Sequence, residues 1–348
     1  MLGENNVETK IFGCVSSTLV CFDRALELEP GEEAVLRNNA ETLVELVVRF
    51  ECLSELRLPY RDWCALGLAM GDLERYEEAL VCFDKALELK VDNERAWYNK
   101  GVTLSNLGKF EDALECYNWA LRLNPGMAEA HFGKASALKH LGRFGEALES
   151  YNRGLEQNPE LPSGWIGAGE VLIKLGRPRT ALTCFVSALT LDLENEEAWY
   201  GAGLAMIHLM EYEYALMCFD RALDHAPQFA KALKEKGVSL LGLGRAEAAL
   251  EYFDRALKLE PEFAKAWFAK GEALKALGRL EEAVECYTRA LRITPDDDLI
   301  WLFKAEALRK LGRKKESLKC YRKVLNLRYC PGNTSLKREA LRRLGFDV

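Results

Sequence analysis

Between Ala264 and Asp297 the bulky apolar residues Trp267, Leu274 and Leu277 are spaced by seven and three, which places them on one stripe of a 3.6-period helix. Gly278 follows, where a residue without a Cβ ends a helix in the left-handed conformation at little steric cost. A second stripe, Ala283, Tyr287, Ala290 and Leu291, then alternates with outward Glu281, Glu282 and Arg289 before Pro295 closes the pair. The pattern predicts two antiparallel helices that face each other. It also recurs every 34 residues: Gly271 steps back to Gly237, Gly203, Gly169, Ala135, Gly101 and Gly67, and Ala283 to Ala249, Ala215, Ala181, Ala147, Ala113 and Ala79. A hairpin of this kind buries only one face by itself, so successive hairpins must stack to complete a core.

This order of aromatic, small residue, Leu-Gly, Ala, aromatic, Ala and Pro resembles the tetratricopeptide repeat over residues 60–331, eight units beginning at Tyr60, Glu94, Ala128, Pro162, Glu196, Ala230, Ala264 and Asp298. The resemblance implies an all-α fold, a right-handed superhelical solenoid of antiparallel helix-turn-helix repeats with the first helices on its concave side. Residues 1–59 are expected to hold a partial repeat followed by an atypical helical cap, and residues 332–348 a C-terminal capping helix started at Thr334 or Ser335 and stopped at Gly345. The apolar surface of the N-terminal segment, with Leu36, Leu43, Val47, Phe50 and Leu53, serves either as that cap or as a dimer contact.

Composition narrows the function. No apolar run reaches the roughly 20 residues that span a bilayer, and MLGENNVETK lacks the basic then apolar plan of a signal peptide. A soluble, cytoplasmic protein is expected. Seven of the 11 cysteines share one slot, at Cys21, Cys82, Cys116, Cys184, Cys218, Cys286 and Cys320. Equivalent atoms in successive repeats stand at least about 10 Å apart, too far for disulfides, so these read as small core residues. The net charge of −7 is uneven. From Asp298 onward 14 Lys and Arg face 5 Asp and Glu, a net of +9 that leaves −16 for the remainder.

Catalytic signatures are missing: there is no Gly-x-Ser-x-Gly, no phosphate loop ending in Gly-Lys-Ser/Thr and no His-Glu-x-x-His. The four histidines are scattered, His131 in a Trp slot, and nothing points to a cofactor, a metal or an enzyme. The resemblance directs attention to the ligand-facing positions of the first helices. These hold Tyr98, Val102, Phe132, Ile166, Ile173, Tyr200, Leu204 and Ile207, then Lys231, Lys234, Lys265 and Lys275. Apolar and aromatic residues thus give way to basic ones. One reading is an adaptor whose groove takes a peptide or helix that is apolar in one part and acidic in another. The other is that the apolar residues pack first helices together and the lysines solubilise. The clamp and the Asn ladder of two specialised branches of the family are absent: Asn99 is followed at its repeat position by Gly133, Gly167 and Gly201, glycines expected to deepen the groove. A separate class, nucleic acid or an acidic partner on the basic C-terminal end, rests on Lys314, Lys315, Lys319, Arg322, Lys323, Lys337, Arg338, Arg342 and Arg343.

Overall fold

The structure, a computed structural model, describes residues 59–326 together with Arg338, Arg342 and Arg343. Apart from Pro59 and those three helical arginines, the expected N-terminal partial repeat and cap and the C-terminal helix lie outside the described residues.

Sixteen helices and no strand are present among the described residues. The odd-numbered ones, each the first helix of a repeat, are α1 (Tyr60–Asp72), α3 (Glu94–Asn106), α5 (Ala128–His140), α7 (Pro162–Lys174), α9 (Glu196–His208), α11 (Ala230–Gly242), α13 (Ala264–Ala276) and α15 (Asp298–Lys310). The second helices are α2 (Tyr76–Leu89), α4 (Phe110–Leu123), α6 (Phe144–Gln157), α8 (Pro178–Leu191), α10 (Tyr212–His225), α12 (Ala246–Leu259), α14 (Leu280–Ile293) and α16 (Lys314–Asn326). The chain divides into two compact units between Val171 and Leu172. The first contains α1–α6 and most of α7, and the second contains the end of α7 with α8–α16.

Each hairpin closes on the residues its pattern singles out. In α13 and α14 the Leu274 carbonyl accepts from Arg279 N–H at 2.9 Å and the Lys275 carbonyl from Gly278 N–H at 3.1 Å. That paired bonding ends the helix with Gly278 at φ 75°. Six repeats use a glycine here; the other two hold Glu74 at φ 59° and Met210 at φ 64°. One aromatic of each second helix is buried: Phe83, Tyr117, Tyr151, Phe185, Phe219, Phe253, Tyr287 and Tyr321. The small residues exist for these rings. A Cβ built on Gly271 would lie 2.5 Å from the Tyr287 ring, and one on Gly203 2.5 Å from Phe219. Ala79, Ala113, Ala147, Ala181, Ala215, Ala249 and Ala283 are wholly buried, and the eighth repeat replaces this Ala with Ser317, whose hydroxyl donates to the Ala305 carbonyl at 2.9 Å.

Neighbouring repeats are tied by polar bonds as well as by packing. The indole N–H of Trp97, Trp165, Trp199, Trp267 and Trp301 each donates to the carbonyl six residues earlier, at 2.8–2.9 Å. The thiols are all free among the described residues, and burial pushes Cys82 up to about 12 and Cys116 and Cys286 up to about 11. They are core residues with no thiolate character at neutral pH.

Candidate functional site

Within each unit the first helices of consecutive repeats adjoin, α1 with α3 and α3 with α5 in the first, α9 with α11 and α11 with α13 in the second. The residues expected to face a ligand therefore share a surface within a unit. Tyr98, Val102, Phe132 and Ile166 belong to the first unit, and Ile173, Tyr200, Leu204, Ile207, Lys231, Lys234, Lys265 and Lys275 to the second.

Their environments differ. Tyr98, Phe132 and Tyr200 are half-buried and lean on the hairpin aromatic of their own repeat, with centroids 6.0 Å from Tyr117, 6.4 Å from Tyr151 and 6.0 Å from Phe219. Tyr200 also lies 5.0 Å from Phe229. Each of these aromatics supports a helix pair with one face and shows solvent only part of the other. Ile166 is 7% exposed and offers a ligand almost nothing. Val102, Ile173, Leu204 and Ile207 are half-buried. On α11 the sequence reading missed Val238 and Leu241, half-buried at the same repeat positions as Leu204 and Ile207. The signal was present, since each lies 34 residues beyond its counterpart. An apolar strip thus crosses α9 and α11 and stops at α13, where Glu272 and Lys275 take those positions.

The four lysines do not act as one charge. Lys234 pairs with Glu235 beside it, and Lys275 bonds both Glu272 oxygens at 2.7 and 2.6 Å while lying 4.1 Å over the Phe303 ring. Glu272 also accepts from the Tyr287 hydroxyl at 2.5 Å; burial and this carboxylate keep that phenol protonated far into the alkaline range. Lys231 and Lys265 are exposed and carry no ion pair among the described residues. No described carboxylate holds their charges.

The expectation that glycines deepen the groove is overturned. A Cβ on Gly133 would lie 2.7 Å from the Tyr117 ring, one on Gly167 2.4 Å from Tyr151, and one on Gly201 2.2 Å from Phe185. The hairpin aromatic of the preceding repeat fills the space above each glycine. These positions serve packing and leave no depth for a ligand.

On the second helices, Val186 of α8 and Tyr214 and Met217 of α10 are exposed, Met217 at 64%, and Met210 of the α9–α10 turn at 72%. This outer apolar patch was not anticipated, because a helix stripe alone does not show how wide the buried face is. No group of His, Cys, Asp and Glu that would hold a metal occurs among the described residues, and no helix of theirs is long and apolar enough to cross a membrane.

A family model described as tetratricopeptide repeat matches residues 103–162, 166–228, 210–259, 234–298 and 268–334, and one described as TPR repeat matches 67–108. Among solved structures, a tetratricopeptide repeat protein from Parabacteroides merdae superposes with a TM-score of 0.61 at 18% identity, over 72% of this chain and 98% of that one. The APC/C hetero-tetramer Cut9-Hcn1 gives 0.60 at 16% identity, over 89% of this chain and 60% of that one. PilW, a type IV pilus biogenesis factor, gives 0.54 at 21% identity, over 58% and 94%. At these identities the likeness is one of fold. No curated protein sequence matches the chain. With the family models covering most of the eight hairpins, the chain belongs to the tetratricopeptide repeat family.

Proposed function

We propose that the chain is a non-enzymatic interaction scaffold, and that the first-helix surface of its second unit binds a peptide or helix of a protein partner. The observation that carries this is the strip of Leu204, Ile207, Val238 and Leu241, apolar where α13 carries Glu272 and Lys275 in the same fold. These residues pack against the core on one side, while the α13–α14 hairpin forms with charged residues at the same positions, Glu272 accepting there from the Tyr287 hydroxyl. The half of each that stays open forms an apolar surface, and such a surface favours association. Exposed Lys231 and Lys265 beside it select an acidic stretch in the ligand. Helices fixed by the core present this surface with little ordering cost, so affinity comes from a few anchors. Ile173 and Tyr200 extend the strip in this unit; Tyr98, Val102 and Phe132 offer a smaller counterpart in the first.

The test uses the residues that α13 supplies. A Leu204→Glu/Ile207→Lys variant is expected to melt like the wild type and to lose proteins that the wild type retains from a lysate of the source organism, identified by mass spectrometry. Retention of the same proteins by the folded variant would remove the groove assignment. The exposed Tyr214 and Met217 favour a second reading, docking on the outer face. Loss of partners in a Tyr214→Glu/Met217→Glu variant, with retention in the first variant, would select it.

A further inference from the structure

The repeat formed by α5 and α6 breaks the pattern of its sisters at one place on the side of the second helices. In the α13–α14 repeat, Trp267 is covered by Arg289, whose Cζ lies 4.6 Å from the ring centroid, and by Lys270 at 5.6 Å; Lys270 in turn pairs with Asp254 of the preceding repeat at 2.5 Å. Two cations are satisfied by a ring and a carboxylate. The same Lys–Asp pair recurs as Lys100–Asp84 at 2.5 Å and as Lys236–Asp220.

In the α5–α6 repeat the cations remain and both partners are gone. His131 stands where the Trp would be, and Asn118 where the Asp would be, while Lys134 and Arg153 keep their positions. His131 Nε2 bonds the Pro125 carbonyl at 3.0 Å, as the indoles do with theirs, but its ring is smaller. Beside it lies an open cavity of about 660 Å³ bordered by Asn118, Arg122, His131, Lys134, Arg153 and Glu156. Lys134 makes no ion pair among the described residues, and Arg153 is held only by Glu149 on the exposed face of its own helix, at 2.5 Å. Burial and the Arg153 charge lower the pKa of Lys134, the direction expected of a cation without its acid.

A sister repeat without the Trp keeps a ring beside its lysine. The α11–α12 repeat has Leu233 in that slot, but there Tyr252 replaces the usual Cys and its ring lies 4.2 Å from Lys236 Nζ. At the position of Tyr252 the α5–α6 repeat has Ser150, too small to fill the space, whose hydroxyl donates to the Glu146 carbonyl. The α15–α16 repeat also lacks the Asp, with Thr288 in its place, but Lys304 there lies 5.3 Å over the retained Trp301. Only in the α5–α6 repeat, among the described residues, are ring, carboxylate and filler removed together while the cations stay.

We propose that this cavity is an oxyanion site for a phosphate monoester, with Lys134 and Arg153 as its charged ligands, Asn118 as a neutral donor and Arg122 at the rim. At the border of the cavity three cations face Glu156, with Glu149 holding Arg153 from the exposed face and Arg122 lying 4.8 Å over the Trp119 ring, and this cationic excess suits a phosphate. The planar guanidinium fork and the compact ammonium together match the several acceptor oxygens of a tetrahedral group. The phosphate is either free or borne on a side chain of a partner, and these sources are separable by probe.

The experiment is calorimetric titration of the full chain with inorganic phosphate and with O-phosphoserine, beside serine and acetate as controls. Saturable binding of at least one phosphate probe is expected, at least about tenfold weaker in Asn118→Asp, which restores the acid, and in His131→Trp, which fills the space. Each variant installs the residue that sister repeats carry, so thermal melting is expected to remain at or above that of the wild type. Tighter binding of O-phosphoserine than of inorganic phosphate would assign the source to a modified side chain, and the reverse to the free anion. Absence of saturable binding in the wild type, undiminished binding in both variants, or acetate binding as tightly as phosphate would overturn the proposal.

Discussion

The repeats α9–α10 and α13–α14, both in the second unit, have one core and two different surfaces. Their hairpin rings, Phe219 and Tyr287, are equally buried; Gly203 and Gly271 each leave room for the ring, and Ala215 and Ala283 are equally enclosed. Outside that core the two diverge. Where α13–α14 has Glu272, Lys275, Gly278, Glu282 and Glu285, α9–α10 has Leu204, Ile207, Met210, Tyr214 and Met217. The turn geometry survives the change: Glu211 N–H bonds the Met206 carbonyl and Met210 N–H the Ile207 carbonyl, both at 2.9 Å, as Arg279 and Gly278 do in the other repeat. A repeat that folds well with charges has therefore been given apolar residues on both of its outer faces. Packing explains what the two share; under the proposed function, association explains what they do not.

That division is open to attack in four ways. The largest effect is expected in the shared core: Gly203→Leu and Gly271→Leu should each cost about 3 kcal/mol in chemical denaturation, because overpacking against Phe219 or Tyr287 outweighs the roughly 1 kcal/mol of helix propensity gained. Markedly unequal losses would mean that the cores are not equivalent. Next, Cys218 and Cys286 both have thiol pKa values raised to about 11 by burial, against 9.0 for a free thiol. A group held protonated in the fold stabilises it fully below pH 9, and that contribution is lost as pH rises towards 11. Stability is accordingly expected to fall across this window, with neither thiol reacting readily with a disulfide reagent at pH 8. Rapid labelling of Cys218 alone would show the α9–α10 core to be looser.

Smaller effects should separate the surfaces. Met210 holds a left-handed conformation that disfavours side chains, so Met210→Gly is expected to stabilise by about 1 kcal/mol and Gly278→Met to destabilise by a similar amount. Loss of stability in Met210→Gly would reveal a packing role for this exposed side chain. Least of all, Tyr214→Glu with Met217→Glu should change stability by no more than about 0.5 kcal/mol, as exposed positions do. A larger loss in thermal unfolding would return these residues to the core.

The hairpins were legible because the period repeats the same packing decision eight times, so the positions of Trp267, Gly278 and Ala283 carry over from unit to unit. Neighbours across repeats were less legible. Gly133, Gly167 and Gly201 read as open groove, since the rings that fill the space belong to the helix 16 residues earlier in sequence. Lys234 and Lys275 read as free charge, whereas their pairing with Glu235 and Glu272 depends on side-chain direction. The cavity beside Lys134 was written in the sequence as three coincident departures, His131, Asn118 and Ser150. Read one at a time, each is an ordinary core or surface residue.

The rings above the sixth-position glycines have a consequence for how such a chain can be cut or copied. Tyr117 sits between Gly101 of its own hairpin and Gly133 of the next, with a Cβ clash at 2.8 and 2.7 Å on the two sides. Each such ring is thus shared between one sequence repeat and its successor. A truncation placed at the sequence boundary before Ala128 would strip Tyr117 of its lid and expose an aromatic face. A duplication that keeps a ring must also keep the glycine downstream of it, so heredity in this array is constrained across the seam between units.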